Sequence, residues 1–70
     1  MKKQDAIFRA QDMIRNIREA SSLSTATVIC TRTLGYLEAL RDTEVLTDTA
    51  YEALRERAFN AIQENAEKIG

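Results

Sequence analysis

Cys30 is the one thiol in this chain, and no histidine stands anywhere in the sequence to serve as its base. A thiolate nucleophile needs such a partner, or a cationic and partly open setting. Cys30 falls instead among Ala26, Ile29, Leu34 and Leu37 on one apolar helical arc, where a cysteine packs as a small hydrophobe. Zinc sites draw on several Cys and His ligands, so this sequence offers neither a metal set nor an internal disulfide. Carboxylates are plentiful, eleven Asp and Glu against ten Lys and Arg, and paired acids can act as general acid and base. Here they spread along polar helix faces, as Glu52 and Glu56 do beside Arg57, and no spacing gathers two into a pocket. There is no glycine-rich phosphate loop and no Ser-His-Asp constellation. The residue types point away from an enzyme, and no catalytic, cofactor or metal residue is assigned.

Binding chemistry is better represented. Phe8 projects from the polar side of the first helix, between Asp12, Arg15 and Glu19. Aromatic residues and arginine dominate interface hot spots, so Phe8 and Arg15 are candidate anchors for a protein partner. The plainer alternative is that the ring folds back on a neighbouring helix or lies in a dimer seam. Val28, Gly35 and Ala39 form a small-residue stripe opposite the main apolar face of the second helix. Without a Cβ, Gly35 either admits a close helix or is simply exposed. Asn65 interrupts the apolar arc of the third helix, where a polar residue fixes register or oligomer state or meets solvent in a fraying terminus. Lys2, Lys3, Arg9, Arg15 and Arg18 would carry the alternative, a nucleic-acid face, diluted by Asp5, Asp12 and Glu19. A helix-turn-helix needs a polar or basic start to its recognition helix. The third helix begins Asp48-Thr49-Ala50-Tyr51-Glu52, and the sequence pI is near 5.3.

The elements that position these residues are three helices. At 100° per residue, Ala6, Ile7, Ala10, Met13, Ile14, Ile17 and Ala20 share an arc of a helix over 4–20. Ile7, Ala10, Ile14 and Ile17 form its seam, with Asp5–Arg9 and Arg15–Glu19 as solvent-side pairs. Ser21-Ser22-Leu23-Ser24 breaks the chain. Ser24 is the expected cap of a helix over 24–42, with Leu23 and Val28 as its hydrophobic staple. Residues 25–31 are β-branched enough to form a strand, which would have to pair with a second chain. The helical projection is the preferred reading, because Ala26, Ile29, Cys30, Leu34, Tyr36, Leu37 and Leu40 fall on one face. Thr47 caps a third helix over 48–68, with Leu46 and Tyr51 at the staple positions and Asp48 against the helix dipole. Ala50, Tyr51, Leu54, Ala58, Ala61, Ile62, Ala66 and Ile69, with Phe59 at the edge, give this helix a wide apolar face, suited to two neighbours.

Leu37-Glu38-Ala39-Leu40-Arg41-Asp42, then Val45-Leu46-Thr47-Asp48, Tyr51 and Leu54, resemble the short helical hairpins called SHOCT domains. Glu44 stands where those hairpins usually have glycine. The resemblance implies a helical hairpin, a bacterial origin and an accessory, oligomerising role, and it carries no catalytic residues.

Seventy residues without proline, and with two glycines, form one domain of a few long helices. A single core of this size supplies only about 3–5 kcal/mol without staples, so self-association is expected, as a dimer or higher homo-oligomer. No apolar run approaches a membrane span, Lys2-Lys3 precedes no signal-like hydrophobic stretch, and the lone cysteine suits a reducing cytoplasm. Residues 1–33 carry six basic and three acidic groups, and residues 34–70 four and eight. That split can dock the first helix on the hairpin, pair two chains, or draw an acidic partner. The expectation is an all-α three-helix bundle, cytoplasmic, that binds itself and another protein as a small regulator or adaptor of bacterial or phage type.

Overall fold

The computed structural model describes residues 3–69, Ile69 by its backbone alone. Three α-helices follow in order, α1 (Lys3–Glu19), α2 (Leu23–Asp42) and α3 (Asp48–Ile69), and each packs against the other two. At 1.5 Å per residue the 22 residues of α3 span about 33 Å, close to the molecule's long dimension of 37 Å. The helices therefore run along a short rod.

No strand occurs among the described residues, and 25–31 is helical. Its threonines turn inward on their own helix. Thr27, Thr31 and Thr33 donate their hydroxyls to the carbonyls of Leu23, Thr27 and Ile29, at 2.8, 3.0 and 2.7 Å. Each hydroxyl finds its acceptor four residues back, and the helical backbone bonds of 25–31 occupy the groups a strand would have offered to a second chain.

The core is a zipper of small steps. Ala26, Cys30, Thr33, Leu37 and Leu40 are buried on α2, and Tyr51, Leu54, Ala58, Ala61 and Asn65 on α3. Both rows advance by alternating three and four residues, the spacing of shallow-angle, coiled-coil-like packing. On α1 the buried row is Ala6, Ala10, Ile14 and Ile17, with Ile7 half-buried at its rim. The seam thus enters through Ala6 where Ile7 was expected, since two alanines let α1 lie close. Thr33, absent from the expected face, is fully buried, and its internal hydrogen bond removes most of the cost of burying a hydroxyl.

Both connections are closed by caps. Ser22, with φ −146° and ψ 157°, precedes α2, and its Oγ accepts the Thr25 N–H at 3.1 Å. The cap is therefore Ser22 and not Ser24, which lies within the first turn. Leu23 becomes the first helical residue, and the expected staple gives way to two outward side chains, Leu23 and Val28. At the hairpin, Val45 N–H donates to the Leu40 carbonyl and Glu44 N–H to the Arg41 carbonyl, at 2.9 and 3.0 Å. This Schellman closure places Glu44 at φ 62°. Thr47 then caps α3, its Oγ1 accepting the Ala50 N–H at 3.1 Å. Leu46 and Tyr51, at the staple positions, are both buried.

Candidate interaction surface

Phe8 stands on the outward face of α1 and is 57% exposed, the largest value among the exposed large hydrophobic residues. Seven residues on, near the same face, Arg15 pairs with Asp12 at 2.8 Å and not with Glu19. The other basic residues diverge. Arg9 lies over the Tyr36 ring of α2, 5.7 Å from its centroid, and Arg18 reaches across to Glu64 on α3. Lys3 is exposed, and Lys2 lies outside the described residues. The arginines of α1 thus point to three sides of the helix and form no single basic face.

Val28, Gly35 and Ala39 share the outward side of α2, and all three are exposed. A Cβ built on Gly35 would meet nothing within 4 Å, so the glycine serves no close approach inside the bundle.

Asn65 lies in a different kind of place. Although it sits four residues from the end of α3, it is fully buried rather than frayed. Its Nδ2 donates to the carbonyls of Arg18 and Ala20, at 3.2 and 2.9 Å. Those groups belong to the C-terminal end of α1, where backbone carbonyls lack intrahelical partners. Two carbonyl acceptors leave only one sensible orientation of the amide, and Oδ1 is left buried without a partner. Asn65 is therefore enclosed within the monomer and fixes the end of α1 against α3, so it offers no surface to a second chain.

Neither Leu23, expected in the staple, nor Phe59, expected at the edge of the apolar arc of α3, was singled out as an interaction candidate, yet they are 45% and 42% exposed. Arg55 lies over the Phe59 ring at 4.9 Å, a contact that covers one face of the ring. The available signal was the position of Phe59 at the very edge of the apolar arc of α3.

Open depressions among the described residues include two on the remaining surface. One runs along α3 beside Asn60, Gln63, Glu64 and Glu67, and the other lies at the hairpin turn beside Arg41, Glu44, Leu46, Thr47 and Asp48. Cys30 is in the core, and burial pushes its thiol pKa above the ordinary value of 9.0. Among the described residues no cluster of three or more His, Cys, Asp or Glu is placed to hold a metal ion. No helix there is long and apolar enough to cross a membrane. No protein-family model, no curated protein and no solved structure matches the chain.

Proposed function

We propose that this protein acts by binding other proteins, as a small cytoplasmic regulator or adaptor that also associates with itself. The observation that carries the reading is Phe8, an aromatic ring held out from an otherwise polar helix face. Leaving such a ring in water forgoes the stabilisation of burial, roughly 1.5–3 kcal/mol, and a partner that buries it recovers that energy. Arg15, already oriented by Asp12, supplies the charged neighbour usual at hot spots. The small core favours association.

Affinity capture with native protein and with Phe8→Ala tests this, using cells of its own source. Truncating an interface anchor costs about 2 kcal/mol or more of binding, whereas the fold loses little from an exposed side chain, within about 0.5 kcal/mol. The expected outcome is an unchanged melt by circular dichroism and loss of a specific captured protein. Capture unaffected by Phe8→Ala would remove this ring from the account. The nucleic-acid alternative draws less support, since Arg9, Arg15 and Arg18 are each engaged by Tyr36, Asp12 and Glu64. A DNA complex that weakens steeply with salt and depends on these arginines would reverse that preference.

A further inference from the structure

Two contacts orient the helices about the rod. Arg41 of α2 lies over the Tyr51 ring of α3, 4.2 Å from its centroid, so the side of α2 that bears Arg41 borders α3. Leu23 precedes Arg41 by five full turns and shares its meridian, and Leu34, about two turns before Arg41, lies beside it. On α3, Tyr51 opens a row of Arg55, Phe59, Ile62 and Ala66 on the side toward α2. Glu64, paired with Arg18 of α1, faces the other way. The outer groove between α2 and α3 is thus bordered by Leu23, Leu34, Phe59, Ile62 and Ala66. Leu23 and Phe59 are exposed and the other three half-buried.

We propose that this groove is where a second copy of the chain docks, in a twofold pair centred on its apolar half. The proposal rests on the self-association part of the reading above and assigns it a surface. Charge decides the register. The charged residues of this face, Glu38, Asp48, Glu52 and the two ring-covering arginines, gather toward the hairpin turn. The other half is flanked by the uncharged Thr27, Thr31 and Gln63, and its nearest charge, Glu67, stands at the outer rim beside Gln63. A twofold axis through that half sets the acidic turn ends at opposite extremes, where they do not repel. Docking the outward face of α1 here would instead carry Asp5 and Asp12, the neighbours of Phe8, against Glu38 and Glu52.

The area agrees. An aromatic residue offers roughly 150–250 Å², so the free part of Phe59 contributes on the order of 60–100 Å². With its four neighbours the strip reaches on the order of 300 Å² per copy, enough for the apolar centre of an interface of about 800 Å² per partner. Such an interface would cover roughly a sixth of the 4659 Å² surface of the chain.

Sedimentation or light scattering from micromolar to millimolar concentration tests this. The native chain is expected to approach twice its 7.9 kDa mass. Phe59→Glu and Leu23→Glu should each raise the dissociation constant about tenfold or more, with helical content unchanged because both residues are exposed. Phe8→Ala and Gly35→Leu should dimerise as the native chain does. If Phe59→Glu unfolds, Leu23→Glu decides the matter. A dimer that survives both glutamates, or that Phe8→Ala breaks, overturns the groove while self-association stands. A native chain that stays at 7.9 kDa throughout overturns both.

Discussion

Asn65 shows what a single polar side chain does in so thin a core. Spacing alone marked it as an interruption of the apolar arc of α3, but its partners, the carbonyls of Arg18 and Ala20, lie 47 and 45 residues away. No local pattern reports a contact of that sequence separation. Removing the amide strips two part-buried carbonyls of their donor, a cost of about 1–3 kcal/mol for each acceptor left unpaired, offset in part by loss of the unpartnered Oδ1. Asn65→Ala is therefore expected to lower stability by about 2 kcal/mol in a denaturant melt. Asn65→Asp should be worse at neutral pH, since a carboxylate would face two carbonyl oxygens. Its carboxyl would ionise only above the unfolded value of about 3.9. The added penalty must then vanish below that pH and grow as pH rises through the raised folded value. Equal losses for the two variants at pH 7 and in acid would show that the amide does not make these bonds. Phe8 was the opposite case: helical period placed it opposite the apolar arc, and the packing of the three helices leaves that side of α1 uncovered.

The hairpin was the most legible element, because its signals are local. Thr47, Leu46 and Tyr51 carry the cap and staple within six residues, and α3 begins at Asp48 as expected. The start of α2 was less so. Ser21, Ser22 and Ser24 are all competent caps, and the choice of Ser22 depends on the row it launches, which brings Ala26, Cys30 and Thr33 onto the core. Thr33 was missed because a hydroxyl reads as polar until its own helix supplies the acceptor. The turn itself holds a residue whose type does not suit its backbone. Glu44 takes φ 62° at the C′ position of the Schellman closure, where glycine carries no Cβ penalty. An L-residue there costs roughly 1–2 kcal/mol, and glycine returns part of that through the greater freedom of its unfolded chain. Glu44→Gly should therefore stabilise the protein by about 0.5–1 kcal/mol, read as a higher denaturation midpoint at unchanged cooperativity. A loss of stability would mean that the Glu44 side chain contributes more than its backbone strain costs.

At the scale of the whole molecule, the three-helix, all-α architecture was readable from period and punctuation, whereas the relative placement of the helices was not. The uneven charge along the sequence does meet across α1 and α3, in the Arg18–Glu64 pair, but both partners are about half-exposed. Pairs of that kind are worth at most about 1 kcal/mol, so charge guides α1 to its place more than it holds it there. Cohesion comes from a core in which Ala6, Ala10, Ala26, Ala58 and Ala61 occupy five of the buried positions. Each alanine buries little apolar area, and a single-copy stability of about 3–5 kcal/mol is the expectation for such a chain. If folded chains pair, association adds to that stability by mass action. Each tenfold rise in concentration above the dissociation constant is worth about 1.4 kcal/mol per dimer, or about 0.7 kcal/mol per chain. For a domain of this size that corresponds to about 3–5 °C in Tm. The expected result is a melting temperature that climbs by this amount per decade of protein concentration, and a flat dependence for Phe59→Glu. The two melts must be compared at matched concentrations. At the lowest one, where native dimers have dissociated, the curves should converge, because an exposed substitution leaves the monomer nearly unchanged. A native melting temperature that is independent of concentration would mean that the three helices of one copy supply all the stability this protein has.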